Sequence, residues 1–315
     1  MKLFHTITRL SILGLLLSAP QAQAFDPCTD ASHYAPLKQR YKLGLLFKVE
    51  KCKAPVSYIF GTMHLARPQV TQAAASAFLT LYNVQAAGFE LAEDESAIGS
   101  TLLKSAVVPP GDKYHLSREL GNDYFDKLVG ELGFMTLMKG YIIQTERVDR
   151  FRPWAVATLM EVIGEDKGSV LDEKIRAEAI KAGKPIFGLE TMDEQKDALS
   201  SLPNSIQVRM LKDAIDHYPD MLRDKEELVK AYVAKDGRKI QSLEEKEVTS
   251  NNDRELQDIL YDRLLVKRNR VMVQRLLPRL EKQSLLVSVG VMHLLGEDGI
   301  LRQLEQHGYF ITPMP

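Results

Sequence analysis

The sequence predicts an α+β fold: a central mixed β-sheet built from the N- and C-terminal halves of the chain, flanked by helices, with a large helical insertion acting as a lid. Three observations predict it. Short apolar runs rich in β-branched and aromatic residues, several closed by a glycine, gather towards the two ends of the chain. The middle carries helix-length blocks instead. Because strands recur on both sides of that middle, one sheet must draw on distant halves.

The 315 residues are 45% hydrophobic and 26% charged, a composition that supports a sizeable core rather than disorder. Residues 1–24 stand apart. Lys2 and Arg9 are their only Lys, Arg, Asp or Glu residues, residues 10–17 read LSILGLLL, and Ala22-Gln23-Ala24 is a small-x-small cleavage site. They are read as a signal peptide cut before Phe25, leaving residues 25–315 as a single domain. No later run reaches the ~18 apolar residues of a membrane span, so no stable membrane anchor is expected after cleavage. Removing the segment takes two of 41 basic residues and none of 42 acidic ones, giving 39 − 42 = −3. That balance argues against a nucleic-acid partner. Export, to the periplasm or the medium, fits the two cysteines: Cys28 and Cys52 lie close together near the mature N-terminus and suit a disulfide, two buried free thiols being the alternative.

Residues 43–50 alternate towards the polar turn 51–55, and 56–60 resume a β-rich run, a hairpin signature. Residues 69–82 have helical composition, 84–91 read as a short strand, and 95–113, with Pro109-Pro110-Gly111, as a surface loop. Residues 117–181 and 206–283 form the helical insertion, the polar stretch 235–258 being a solvated helix pair and loop. Between the two blocks, residues 184–190 are a strand, and Thr191-Met192-Asp193-Glu194 has capping-box spacing. Strand 285–289, a helix at 299–307 and strand 309–312 close the chain.

Four segments share one grammar: YIFGTMH, AAGFE, PIFGLE and VSVGVMH are each an apolar strand, a glycine, and a titratable side chain one to three residues on. Polar groups just past the carboxyl ends of sheet strands are where α/β folds build sites, so His64, Glu90, Glu190 and His293 are expected to converge. The near-duplicate Gly-x-Met-His-Leu at 61–65 and 290–294 is hard to ascribe to packing alone. Two imidazoles and a carboxylate can hold a divalent transition metal and leave a position for water; the other carboxylate can then serve as base or orient a ligand. Without metal, a carboxylate-oriented histidine can act as base. The residues alone leave these chemistries open. His33, His115, His217 and His307 are assigned to surface or packing, and His5 to the signal segment. Zincin, α/β-hydrolase and phosphate-loop motifs do not occur in the chain.

The chain resembles the TraB/GumN family, which includes the Tiki metalloproteases and is related in fold to ChaN and erythromycin-esterase-like proteins. The resemblance runs through LLFKVEK (45–51), YIFGTMHLARP (58–68), GFEL (88–91), RPWAVATL (152–159), FGLETMDEQ (187–195), KRNRVM (267–272) and VGVMHLLGEDGILRQLEQHGY (289–309). It implies a metal-dependent hydrolase acting on a peptide or protein, with His64, His293, Glu90 and Glu190 around a divalent metal. Manganese or cobalt would follow the Tiki likeness, while zinc suits the same ligands. It also implies that Arg268 and Asn269 face the crevice, where the guanidinium could hold a substrate carboxylate or a catalytic glutamate. Trp154 is read as a core or lid anchor. ChaN suggests a haem- or iron-binding protein as the alternative, and the esterase-like relatives a metal-free hydrolase with histidine as base.

Overall fold

The computed structural model describes residues 25–29, 44–138, 144–163, 165, 168–250 and 253–314. The signal segment 1–24, with His5, and also His33 lie outside the described residues.

Leu46–Glu50 (β1) and Ser57–Thr62 (β2) form the expected hairpin, with Leu46 opposite Phe60 and Val49 opposite Ser57. The other strands are Ala86–Phe89 (β3), Ile186–Gly188 (β4), Leu285–Gly290 (β5) and Phe310–Met314 (β6). All six make one mixed sheet in the order β4-β3-β5-β2-β1-β6. Strands β2 to β5 run parallel, and β1 pairs antiparallel with both β2 and β6. The key placement is β5, which inserts between β2 and β3. Strand β5 is buried at every position up to Ser288 and Val289, the two-sided burial that parallel central strands require. Because these strands share a direction, the segments after β2, β3, β4 and β5 all emerge at one end of the sheet.

Two apolar cores result. One surrounds the sheet and takes Leu171, Ile175 and Ala179 from the helix Leu171–Lys181, and Met272, Val273, Leu276 and Leu280 from the helix Lys267–Leu280. The other is helical, built around Leu128, Leu132, Trp154, Met160, Leu211 and Tyr218. Trp154, 3% exposed, anchors this second core.

One expected loop is a helix. Glu95–Ala106 is helical because Asp94 caps it, its Oδ1 accepting from the Ala97 amide at 2.9 Å, with Glu95 in the first turn and Lys104 in the last. The Pro-Pro-Gly run begins only after this helix has ended. The Thr191 capping box forms as expected and starts the helix Met192–Ser200, and the stretch 235–258 contains the helix Gly237–Ser250 and the start of Arg254–Tyr261. Cys28 and Cys52 are joined as a disulfide.

Candidate active site at the carboxyl ends of the parallel strands

His64 lies just past β2, Glu90 past β3, Glu190 past β4, and His293 in the short 3-10 turn Val291–His293 after β5. The two glycines of the repeated motif serve different ends. A Cβ on Gly61 would lie 2.9 Å from Val291 Cγ2 and 3.0 Å from Leu294 Cδ1, so this glycine lets the post-β5 segment pack onto β2. A Cβ on Gly290 would lie 3.2 Å from Glu90 Oε1 and 3.6 Å from both His64 Nε2 and His293 Cδ2. Gly290 is therefore the floor on which the three side chains converge.

Glu90 is the hub. Its Oε1 accepts from the Gly290 amide at 2.7 Å and lies 3.7 Å from His64 Nε2 and 3.8 Å from His293 Nε2. Its Oε2 accepts from Arg268 at 2.7 Å and from Gln195 Nε2 at 3.4 Å. Arg268 also grips Glu190 through two bonds of 2.8 and 2.7 Å, and its Nη1 donates to the Leu264 carbonyl. Glu190 reaches the cluster through Arg268; its side chain is 2% exposed. A five-residue π-turn, Asp262–Val266, precedes Arg268 in the helix that carries it.

Each histidine is oriented at Nδ1. His293 Nδ1 lies 2.6 Å from Asn269 Oδ1, and the amide is fixed the right way round because Asn269 Nδ2 donates to the Asp298 carbonyl at 3.0 Å. Asn269 thus accepts from Nδ1–H, leaving the Nε2 lone pair towards Glu90. His64 Nδ1 lies 2.9 Å from Asp172 Oδ2, and the hydroxyl of Thr62 donates to Asp172 Oδ1 at 2.5 Å. The rings differ in setting: the His293 side chain is 6% exposed, that of His64 58%.

Charge obeys this geometry. Burial pushes the His293 imidazole down to about 4, so it is neutral at neutral pH. The Asp172 carboxylate, with Glu90, holds His64 well above its ordinary value. Burial works to raise the Glu90 carboxyl, but His293, His64 and Arg268 outweigh it and hold it well below the usual range. Glu190 moves the other way: burial raises it, Arg268 opposes, and Glu90 adds to the rise.

The donor set suits a divalent cation in kind, offering two imidazole nitrogens with their far sides anchored and one carboxylate. Among the described residues no group of three or more His, Cys, Asp or Glu side chains stands at metal-ligand spacing, and both Glu90 oxygens accept from protein donors. His64, His293 and Glu90 would hold such an ion. Arg268 and Asn269 face the cluster, and what Arg268 holds is the glutamate pair. Asp172 and Gln195 are the members that sequence reasoning missed. Asp172 stands after no strand or glycine, and only its place in the first turn of the helix Leu171–Lys181 brings it near His64. A surface groove lined by Pro68, Thr71, Phe78, Leu79 and Lys174 contains none of these residues. His115 pairs with Asp149 at 2.7 Å, away from the cluster, as expected of a packing residue.

The fold and site define a two-histidine, carboxylate-centred cluster at the carboxyl ends of parallel strands. The model of the TraB/PrgY/gumN family matches residues 45–313, and the chain belongs to that family. It is also similar to a protein of Nematostella vectensis described as "Metalloprotease TIKI homolog", 23% identical over 311 residues, covering 82% of this chain and 64% of that relative. No solved structure matches the chain. Among the described residues no helix is long and apolar enough to cross a membrane.

Proposed function

We propose that this protein is an exported, periplasmic or secreted, metal-dependent hydrolase that cleaves a peptide or related amide bond. One observation carries the reading: both imidazole Nε2 atoms face the same Glu90 oxygen, at 3.7 and 3.8 Å, while each Nδ1 is anchored by a side-chain acceptor. The similarity to a metalloprotease homologue supports the reaction class, and the apolar run at 10–17 with the Cys28–Cys52 disulfide supports export.

His64, His293 and Glu90 are assigned to hold the ion. A bound manganese, cobalt or zinc ion supplies Lewis acidity and lowers the pKa of water. Glu90, held ionised by His293, His64 and Arg268, accepts a proton or donates a lone pair without first losing one. Glu190 is assigned the task of clamping Arg268, and through it Glu90. Asn269 keeps the neutral His293 ring presenting Nε2. The exposed His64 edge marks the side from which a peptide approaches.

A metal-free hydrolase is favoured by one specific contact, the Asp172 carboxylate at 2.9 Å from the exposed His64, which is the arrangement of a carboxylate-oriented base. Turnover of a peptide library with and without chelator, beside elemental analysis and a visible spectrum, separates the readings. Metal-dependent cleavage that is lost in His293→Ala and Glu90→Gln is the expected result. Cleavage that survives chelation and both substitutions overturns the metal mechanism. A stoichiometric haem band overturns the hydrolase reading.

A further inference from the structure

We infer that Asp172 is the positioning residue of the site: together with Thr62 it fixes the tautomer and direction of His64, so that Nε2 faces Glu90. The inference rests on the reading of His64 and Glu90 as the working groups of the cluster. It starts from an asymmetry between the two histidines. His293 sits in a buried turn, and surrounding atoms would limit its ring even without Asn269. His64 sits in the loop between β2 and the helix Pro68–Ala73, with a side chain 58% exposed. Packing alone leaves such a ring free to rotate and to choose either tautomer.

What restrains it is a short chain of contacts that begins in the sheet. Thr62 is the last residue of β2, only 1% exposed, and its hydroxyl donates to Asp172 Oδ1 at 2.5 Å. Asp172 lies in the first turn of the helix Leu171–Lys181, whose Leu171 and Ile175 are fully buried in the sheet core, so the carboxylate is held from both sides. Its remaining oxygen, Oδ2, is buried and has no hydrogen-bond partner. The nearest donor to that orphaned oxygen is His64 Nδ1, at 2.9 Å. A carboxylate accepts only, so once the ring is neutral Nδ1–H is the tautomer that this oxygen favours, and it leaves the Nε2 lone pair towards Glu90. Asn269 does the same for His293 with a neutral acceptor. The exposed ring is thus restrained by a carboxylate and the buried ring by an amide.

A merely structural Asp172, tying β2 to its helix through Thr62, would leave the ring tautomer untouched. The test therefore reads the tautomer directly. In metal-free protein above the pH at which the ring titrates, long-range proton–nitrogen NMR of His64 is compared among wild type, Asp172→Ala, Asp172→Asn and Thr62→Val. The expected result is an Nδ1–H tautomer in wild type and Asp172→Asn, whose amide oxygen can still accept, and a shift towards Nε2–H in Asp172→Ala. Manganese or zinc affinity, measured by indicator competition, should fall about 10–100-fold in Asp172→Ala, with partial rescue in Asp172→Asn. An unchanged tautomer in folded Asp172→Ala overturns the inference. Should Asp172→Ala fail to fold, Thr62→Val replaces it, and a wild-type tautomer in that variant, with unchanged ring mobility, counts against the inference equally. A wild type that binds neither metal and cleaves no peptide would defeat the proposed function, yet leave the tautomer comparison able to decide this one.

Discussion

Replacing Arg268 by Met keeps the length of the side chain and removes the guanidinium that bridges two buried carboxylates. In the native protein the side chains of Arg268, Glu90 and Glu190 are 14%, 8% and 2% exposed, and every bond among them is 2.7 or 2.8 Å long. Removing one partner of such a cluster leaves uncompensated buried charge, which costs about 3–5 kcal/mol. The cost should depend on pH, and its sign is set by the carboxyl values. Glu90 is held below its unfolded value, so in the wild type it adds stability above the ordinary carboxyl range and loses that contribution as the pH falls through its folded value. Without Arg268, which lowers both, the two carboxyls move up from their wild-type positions, Glu190 from a value that burial already raises. The variant therefore gains relative stability as the pH falls. Each unit of displacement changes the difference by about 1.4 kcal/mol, so the deficit should shrink by at least that much between neutral pH and about pH 5. Urea unfolding followed by far-UV circular dichroism measures it. The fluorescence of Trp154, the only tryptophan, reports the helical core in parallel and should shift less. A deficit below about 1 kcal/mol, or one that does not change with pH, would refute the assignment of Arg268 as the counter-charge of the pair.

Three further outcomes are expected. Gly290→Ala should fold normally, because φ −50 and ψ 134 suit alanine, with a urea midpoint shifted by less than about 1 kcal/mol. Its new methyl would crowd Glu90 Oε1 at 3.2 Å, so hydrolysis or metal affinity should fall about 10-fold or more; wild-type values in both assays would contradict the convergence on Gly290. Thr191→Ala removes the hydroxyl arm of the capping box, leaving the backbone amide of residue 191 on the Glu194 carboxylate, and should cost about 1 kcal/mol by thermal or urea unfolding, while Thr191→Ser should restore most of it. Reducing the Cys28–Cys52 bond frees a loop of sequence separation 24 and should lower stability by about 3 kcal/mol, read as a fall in the urea midpoint on adding reductant; no change would mean that the segment 25–29 contributes nothing to the folded state.

What the sequence made legible is what a strand positions by itself. His64, Glu90, Glu190 and His293 could be picked out because each stands one to three residues past an apolar run ending in glycine, and the parallel register of β2, β3, β4 and β5 carries all four to one end of the sheet. The helix at Glu95–Ala106 was hidden for a local reason: its cap, Asp94, was outweighed by the Pro-Pro-Gly run that begins only at Pro109. Asp172 was hidden for a different reason. Its use is defined through space, by Thr62 at a sequence separation of 110, and neither a period nor a motif marks it. Arg268 and Asn269 entered only through the family resemblance, because on a helix of charged residues nothing distinguishes the arginine that turns inward from those that turn out.

The difference between these two kinds of residue bears on the chemistry. The groups with a strand signature are those that would touch an ion or substrate, while the groups without one set the tautomer, ionisation and direction of the first kind. Glu190 crosses the boundary. Its strand-end position matches that of Glu90, yet its two bonds to Arg268 make it an anchor for the guanidinium that, with the two histidines, holds Glu90 ionised. Two glutamates with the same local grammar therefore take different parts. The difference originates in β5: Gly290 ends the strand beside β3, not β4, so its amide and the two imidazoles meet Glu90 and leave Glu190 to the arginine.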